Sequence, residues 1–203
     1  MRFVLATSNK HKIDEFRALL SPHDLYVVGN LDAEESKDTY EGNSLIKLDA
    51  LVDHMFVERD GVVSDEICFA DDSGIEIEAF DGKPGVFSSR FMPGVAQDER
   101  NRIIVRKVAE TGRNGAAFVS CISFFAGGKE IKRQVISRCE GTILSDEGAI
   151  VRTERDFGYD PIFIPKGFDR PFNVLSKDVK NSISHRALAV KGMLAALSDM
   201  HLI

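Results

Sequence analysis

The chain has 203 residues, of which 43% are hydrophobic, so it can bury a core and is not a disordered chain. Its 26 basic and 32 acidic residues give a net charge of −6 (26 − 32), which argues against a surface for the nucleic-acid backbone. No apolar run is long enough for a signal peptide or a membrane span, and the three cysteines lack metal-type spacing. We therefore expect one domain over residues 1–203, in a cytoplasmic protein with reduced cysteines and no membrane or nucleic-acid partner.

A polar loop follows the first predicted strand. Residues 3–6 form an apolar run that predicts a buried strand, and residues 13–20 carry apolar side chains at helical spacing. The loop between them contains Lys10 and Lys12. Loops at the carboxyl ends of strands in open α/β sheets bind ligands, and the backbone N–H groups of a helix start favour anions. The pattern predicts an anion site, with a capping loop and solvated lysines as the alternative.

Two adjacent acids, Asp71 and Asp72, follow a second apolar run at residues 67–70. Residues 75–80 then alternate apolar and polar, as a half-buried strand does. Asp, Ser and Gly favour turns, so the pattern predicts two strands with a turn between them. Because neighbouring side chains of a strand point to opposite faces, we expect one of the two acids to face a cleft.

The rest of the chain alternates predicted strands and helices. In chain order these are a strand at 25–28, a long helix from Glu41, a helix at 98–110, a hairpin of strands at 116–126 and 129–139 with a turn at Gly127 and Gly128, and a final helix at 184–200. The long helix has an apolar stripe that predicts its buried face, formed by Leu45, Leu48, Val52, Met55 and Phe56. This alternation predicts an α/β protein.

A basic cluster, formed by Lys180, His185 and Arg186, lies near the end of the chain. His185 and Arg186 fall in the first turn of the final predicted helix, where the macrodipole disfavours cations. A bound anion would offset that cost, and solvation is the alternative. Acids and bases on the loops of one sheet fit a site where carboxylates hold Mg²⁺ and basic residues neutralise phosphates. No P-loop motif occurs in the sequence.

Four blocks of sequence carry a family resemblance. They read A-T-S-N-K-H-K at residues 6–12, A-D-D-S-G at 70–74 with G-K-P-G-V-F-S-S-R at 82–90, F-G-Y-D-P-I-F at 157–163, and K-N-S-I-S-H-R at 180–186. The chain thereby resembles the house-cleaning inosine and xanthosine triphosphate pyrophosphatases of the Ham1 type, whose motifs occur in the same order. Two departures are Ser8, where the family usually has Gly, and Asn173-Val174, where it usually has Ala-Glu.

The resemblance implies an α/β fold with an elongated mixed β-sheet, flanking helices and two lobes around a central nucleotide-binding cleft. It also implies a homodimer and Mg²⁺-dependent hydrolysis of ITP, dITP and XTP to the monophosphate and pyrophosphate. Asp72 would be the base that activates water, and Glu35 with Asp72 would hold the metal, with Glu34 as the alternative to Glu35. Substrate contacts would come from Thr7, Ser8, Asn9, Lys10, His11, Lys12, Ser73, Phe157, Gly158, Tyr159, Asp160, Lys180, His185 and Arg186.

Selection among bases would depend on the group at position 6 of the purine. His185 and Arg186 can donate to the O6 of hypoxanthine and xanthine, where adenine instead has an amino donor. Phe157 or Tyr159 would supply a stacking face. GTP also has O6, so this argument does not explain its rejection.

Two other functions are consistent with the same residues. One is a phosphohydrolase that uses Asp71 or Asp72 as a nucleophile and releases orthophosphate. The other is a nucleotide sensor without catalytic activity, against which Lys12, Asp72 and Arg186 argue. For the homodimer, the sequence itself offers an apolar patch of Phe87, Phe91 and Met92 beside a Pro-Gly loop.

Overall fold

The computed structural model describes residues 1–58, 66–127, 131–154 and 156–203. The strands are β1 (Arg2–Ala6), β2 (Asp24–Val28), β3 (Ile67–Ile77), β4 (Pro84–Gly85), β5 (Gly115–Ala126), β6 (Ile131–Ile143) and β7 (Phe163–Pro165). The helices are α1 (Lys10–Leu20), α2 (Tyr40–Glu58), α3 (Gln97–Thr111), α4 (Lys177–Ile183) and α5 (His185–Asp199).

The strands form one mixed sheet in the order β2-β1-β3-β5-β6-β7, with β4 paired to β3. Strand β1 pairs in parallel with β2 and β3, whereas β3 with β4 and β6 with β7 are antiparallel. The predicted mixed α/β fold is thereby confirmed. The predicted hairpin strands are neighbours in this order, but its turn includes Gly128, which lies outside the described residues.

The chain divides into two compact units. The first contains Met1–Asp72, Ser120–Ser137 and Arg186–Ile203, and the second contains Ser73–Val119 and Arg138–His185. Each has a hydrophobic core of its own, described below, and the prediction of a single domain stays a prediction.

Side chains of the first unit alternate between two cores, because successive residues of a strand point to opposite faces. On one face, Phe3, Leu5 and Phe69 pack with residues of α1 and α5. On the other face, Val4 and Ala70 pack with residues of α2. Helices therefore cover both faces of these strands, as in other α/β sheets.

The second unit is built around aromatic residues. Phe118 of β5 meets Phe163 edge-on, with ring centroids 4.8 Å apart, and Phe172 lies 5.3 Å from Phe163. Ile104 and Val108 of α3 join the same core. This core supports the segment that contains the predicted substrate residues of the third sequence block.

The predicted turn at residues 71–74 is wrong, because β3 runs without a break from Ile67 to Ile77. Residues 78–80, which the alternation assigned to a strand, form a short 3₁₀ turn. Gly74 serves a different purpose from a turn. A Cβ at this position would lie 2.1 Å from the carbonyl oxygen of Gly85, so β4 can approach only a glycine.

The predicted apolar stripe of α2 is partly wrong. Leu48 is buried as expected, but Leu45 and Phe56 are exposed, and Ser44 and Leu51 are buried instead. The buried face thus includes a polar hydroxyl that a purely apolar pattern omits. Helix α4 was not predicted, because its seven residues are too few to show helical periodicity.

The three cysteines, Cys68, Cys121 and Cys139, are buried and form no disulfide, as the sequence predicts. Burial raises the pKa of Cys121 and of Cys139 to about 11. The Ser44 hydroxyl donates to the Cys121 sulfur at 3.4 Å. Among the helices of the described residues, none has both the length and the apolar character needed to cross a membrane.

Candidate active site

The loop between β1 and α1 is organised by Asn9, which caps the helix. Its side-chain oxygen accepts from the backbone N–H groups of His11 and Lys12 at 3.0 and 3.3 Å. The Thr7 hydroxyl oxygen accepts from the Asn9 N–H at 3.2 Å. The alternative of a capping loop with solvated lysines is right for the cap and for the exposed Lys10, but wrong for Lys12, whose ammonium pairs with Asp71. Two amides of the helix start already have a partner. An anion at this loop would therefore meet side chains such as Lys12 rather than these two amides.

Asp71 points to the face of β3 that is covered by α1 and α5. Its carboxylate lies 2.8 Å from the Lys12 ammonium and 3.5 Å from the Arg186 guanidinium. The Ser120 hydroxyl donates to its other oxygen at 2.6 Å. Asp71 is 2% exposed, so these groups replace water as its partners.

Asp72 points to the opposite face of β3, which is covered by α2, as the period of a strand predicts. The Lys47 ammonium donates to one of its carboxylate oxygens at 2.9 Å, and the Asn43 amide donates to the other at 3.4 Å. Lys47 also donates to Glu35 Oε1 and to the backbone oxygen of Asp71, both at 2.9 Å. We call Glu35, Asp72 and Lys47 the carboxylate–lysine cluster.

The two aspartates differ in pKa despite being adjacent. Burial alone would raise the pKa of Asp71, but the charges and hydrogen bonds of Lys12, Arg186 and Ser120 hold it well below its usual value. Burial raises the pKa of Asp72, which has Lys47 as its nearest cation. Asp72 thus holds a proton more readily than an ordinary aspartate, which is the property of a general base.

The two lysines also differ in pKa. Burial lowers the pKa of Lys12, and the neighbouring charges of Lys47 and Arg186 add to that effect. Burial opposes the charge of Lys47, but Asp72 and Glu35 together raise its pKa. Lys47 is therefore held firmly as an ammonium between two carboxylates.

Arg186 lies in the first turn of α5, and the anion that offsets its position comes from the protein. Its guanidinium donates to Glu15 Oε2 at 2.7 Å, in addition to its ion pair with Asp71. Arg186 is 5% exposed, so solvation does not explain a cation at this helix start. That alternative reading of the sequence is wrong, and it is also wrong for His185, which is buried.

The carboxylate–lysine cluster contains carboxylate oxygens, which are the ligands that a hard cation prefers. Glu35 and Asp72 each place a carboxylate oxygen on the same ammonium, so the two groups converge on one position. Glu34 is exposed, whereas Glu35 is half-buried at the cluster. No group of three or more acidic, His or Cys side chains suited to a metal occurs within the described residues. Two carboxylates suffice for Mg²⁺, which keeps waters and takes substrate oxygens as further ligands.

Lys180 and Asp160, two of the predicted substrate residues in the second unit, form an ion pair. Lys180 Nζ lies 2.5 Å from Asp160 Oδ2 and 6.0 Å from the centre of the Phe157 ring. His185 stacks almost parallel on Phe118, with centroids 4.8 Å apart and planes 10° apart. The unit thus brings Phe157, Asp160 and Lys180 together.

Tyr159 belongs to the core of the second unit, and its hydroxyl donates to the backbone oxygen of Ser88 at 2.7 Å. The Gly158 carbonyl accepts from the Asn101 amide at 3.0 Å. Phe157 is half-buried, so of the two proposed stacking rings it is the more accessible. Ser73, which follows Asp72 in β3, is half-buried, while Ser8, Lys10 and His11 are exposed in the first unit. Substrate binding by these residues stays a prediction.

Four residues of the site were not assigned a role from the sequence: Glu15, Asn43, Lys47 and Ser120. The sequence does show Asn43 and Lys47 four residues apart on one polar helix face. Ser120 also stands out, as a polar residue inside the apolar run of β5. Nothing in the spacing identifies Glu15 as the partner of Arg186, since 171 residues separate them.

Comparisons with known proteins identify the family of the chain. Residues 3–196 match the Ham1 family. The chain is 35% identical to a dITP/XTP pyrophosphatase of Campylobacter jejuni subsp. doylei, over 94% of each chain. It is 31% identical to a dITP/XTP pyrophosphatase of Christiangramia forsetii, over 98% of this chain and 100% of the relative. The solved structure of the Staphylococcus aureus Ham1 protein is 28% identical, with a TM-score of 0.77 over 98% of this chain and 100% of that one.

Proposed function

Because the chain belongs to the Ham1 family, we propose that it hydrolyses the non-canonical purine nucleotides ITP, dITP and XTP to the monophosphate and pyrophosphate. The activity for which its relatives are named, dITP/XTP pyrophosphatase, supports this proposal. The observation that carries it is the setting of Asp72, a buried carboxylate with a raised pKa beside Glu35 and Lys47. This arrangement suits the activation of water next to a phosphate group.

In the proposed reaction, Asp72 accepts a proton from the water that attacks the α-phosphorus. Lys47 and Asn43 each hold one of its carboxylate oxygens, so its orientation is fixed before substrate arrives. Lys12 and Lys47 supply positive charge for the phosphate oxygens, whose negative charge must be neutralised during the transfer. Thr7 and Asn9 shape the loop that positions Lys12.

The proposed metal is Mg²⁺, and Glu35 with Asp72 would hold it. When bound, the metal would screen the phosphates and stabilise the pyrophosphate leaving group. The convergence of these two carboxylates on one point supports the assignment. Removal of divalent metal with EDTA should abolish turnover, and added Mg²⁺ should restore it. Full turnover in EDTA would contradict the metal requirement.

The geometry argues against one of the alternative functions, an Asp71 nucleophile. Both carboxylate oxygens of Asp71 are engaged, by Ser120 on one side and by Lys12 and Arg186 on the other. A buried carboxylate with such partners has a lowered pKa and is a weak nucleophile. An aspartyl-phosphate intermediate at Asp71 would require this network to break.

A panel of nucleoside triphosphates with separate detection of pyrophosphate and orthophosphate tests the proposal. We expect pyrophosphate from ITP, dITP and XTP, and little product from ATP. Orthophosphate as the first product would establish the phosphohydrolase instead, and tight ITP binding without turnover would establish the sensor. Asp72→Asn is the matched control, because it keeps the shape of the side chain and removes the base.

Base selection by Arg186 is a further part of the proposal. A donor that pairs with O6 would be left unpaired against adenine, which costs binding free energy. Arg186→Ala should therefore lower activity and also lower the ratio of kcat/KM for ITP over ATP. Glu15→Gln is the control, because it alters the contact that holds the Arg186 guanidinium and keeps the guanidinium itself. A lower activity with an unchanged ratio would instead place Arg186 on the phosphates.

A homodimer in the cytoplasm completes the proposal. Phe87 is exposed, and Phe91 and Met92 are half-buried, which leaves part of this apolar patch accessible for a partner copy. A monomer by light scattering at micromolar concentration would contradict the dimer. Three cysteines without a disulfide fit a reducing compartment. A fluorescent fusion that imaging finds outside the cytoplasm would contradict the proposed location.

A further inference from the structure

The ammonium group of Lys47 sits in a cage of three oxygens. It donates to Glu35 Oε1, Asp71 O and Asp72 Oδ1, each at 2.9 Å, and an ammonium has three N–H donors to give. Its side chain is 14% exposed, so water contributes little to its solvation. All of its hydrogen-bonding capacity is thus directed at oxygens that also suit a metal.

The ammonium of Lys47 has an electrostatic effect on the two carboxylates of the cage. Two carboxylates that share a partly buried position repel each other, and an ammonium between them removes that repulsion. A divalent ion between the same two oxygens would do the same, with bonds of about 2.0–2.1 Å to oxygen. The ammonium of Lys47 and the metal cannot both lie between Glu35 and Asp72.

From these contacts we propose that Lys47 and the divalent cation use the oxygens of Glu35 and Asp72 in turn. In this exchange, which rests on the proposed metal assignment, Lys47 is a positioning residue that keeps the two ligands together. The metal must displace the ammonium, which then needs another anion. The triphosphate supplies one, so Lys47 makes metal binding and nucleotide binding depend on each other.

This exchange has a consequence for binding that can be measured without turnover. Metal added alone must compete with Lys47 and binds weakly. Metal added with nucleotide binds more tightly, because the displaced ammonium pairs with a phosphate oxygen, and linkage requires the reciprocal effect on the nucleotide. Removing the ammonium should therefore raise the affinity for metal alone and reduce its dependence on nucleotide.

Lys12 provides a matched control. Its ammonium is similarly buried and also donates to the backbone oxygen of Asp71, at 3.3 Å. It pairs with the Asp71 carboxylate, which is not a proposed metal ligand. Lys12→Met and Lys47→Met thus remove the same charge from neighbouring positions, and only the second removes a competitor for Glu35 and Asp72.

The experiment is a titration of the full chain with Mn²⁺ alone, in which free Mn²⁺ is read by electron paramagnetic resonance. We expect Lys47→Met to bind Mn²⁺ about tenfold more tightly than the wild type, a free-energy difference of about 1.4 kcal/mol. Lys12→Met should stay within about threefold of the wild type, and Lys47→Arg should show no gain. Equal affinities of Lys47→Met and Lys12→Met, or weaker binding by Lys47→Met, would overturn the exchange.

A repeat of the titration with the α,β-imido analogue of ITP measures the coupling. The analogue should tighten Mn²⁺ binding in the wild type by more than in Lys47→Met, and equal tightening would overturn the proposal. If Lys47→Met does not fold, Lys47→Gln removes the same charge and keeps a polar group, with the same expectations. Turnover of ITP by the wild type tests the proposed function separately, since the first titration contains no nucleotide.

Discussion

Asp71 and Asp72 are neighbours in one strand, yet they occupy opposite kinds of site. Asp71 is surrounded by two cations and a hydroxyl on the side of α1 and α5. Asp72 has one ammonium, which it shares with Glu35, and an amide on the side of α2. Both are almost fully buried, at 2% and 4% exposure. Burial is thus common to both, and the number of compensating cations separates them.

The difference shows how one strand can carry two adjacent acids whose pKa values shift in opposite directions. A carboxylate with more than one cation is held ionised, and it contributes to stability and positions its partners. A carboxylate that shares a single ammonium with a second carboxylate keeps a raised pKa and can exchange a proton. Alternation along the strand keeps the two environments apart, because adjacent side chains face different helices.

The largest expected effect comes from Asp72→Asn, which removes the proposed general base. Turnover should fall by about 10²–10⁴-fold from loss of a general base, and loss of a metal ligand adds to this. The melting temperature should not fall, because the amide keeps the shape of the side chain and carries no charge that burial would oppose. Steady-state kinetics with ITP and a thermal melt of the same sample measure both. Retained turnover would remove Asp72 from the chemistry.

Asp71→Asn should lower the stability of the fold rather than the chemical rate. Removing one partner from a buried ion pair leaves Lys12 and Arg186 without their shared carboxylate, which costs about 3–5 kcal/mol. The free energy of unfolding from urea titration should fall by that amount. Turnover of the folded fraction should fall less than in Asp72→Asn. A greater loss of turnover in folded Asp71→Asn would contradict the division of roles between the two faces.

The pH dependence of stability should have opposite signs for the two residues, measured in EDTA. Asp71 has a lowered pKa in the folded state, so its contribution is full above the unfolded pKa of about 3.9 and is lost as the pH falls toward the folded value. Asp72 has a raised pKa, so its contribution is full below about 3.9 and is lost as the pH rises through the folded value.

Urea titrations between pH 3 and pH 7 compare each Asn variant with the wild type. The deficit of Asp71→Asn should shrink below about pH 4, where Asp71 of the unfolded wild type takes up a proton and the folded form does not. Asp72→Asn should gain stability relative to the wild type as the pH rises above about 4, because the wild type must then charge a buried group. Parallel curves for the two variants would show that their environments are equivalent.

Ser120→Ala should sharpen the comparison with the smallest change. It removes the hydroxyl that donates to Asp71 at 2.6 Å and leaves the two cations in place. Loss of a hydrogen bond to a buried charged group should lower the free energy of unfolding by about 1.5–3 kcal/mol. Ser44→Ala, on the face of Asp72, is a buried-serine control whose pH dependence should follow the wild type. A larger loss of stability from Ser120→Ala than from Asp71→Asn would mean that the hydroxyl, not the cations, holds the carboxylate.

The opposite faces of Asp71 and Asp72 follow from the sequence, because the period of a strand depends on local geometry alone. The continuity of β3 does not follow from it. Ser73 and Gly74 favour a turn locally, and the pairing of Glu76 with Pro84 and of Ile75 with Gly85 overrides that preference. Gly74 is required by the close approach of β4, ten residues further along the chain, and not by a turn.

The chemistry of the site was predictable where one residue type is diagnostic, and unpredictable where it depends on a partner. The acids at 71 and 72 and the lysine at 12 stand in matched blocks, and the structure brings Lys12 and Asp71 together. Lys47 lies in a helix without such a block, and its role appears only when α2 is packed beside β3. Arg186 was expected to face a ligand, and its contacts with Glu15 and Asp71 depend on the packing of α1 against α5.

The buried cysteines have a practical consequence for measuring motion in this protein. Thiol-directed labels react through the thiolate, and a buried thiol with a pKa of about 11 offers almost none at neutral pH. Cys68 is also buried, so the native thiols should react little with such labels. A cysteine introduced at an exposed position such as Lys10 or Glu34 would accept a fluorophore or spin label without removal of the native ones. The loops that carry the candidate site can then be followed by spectroscopy in an otherwise unmodified chain.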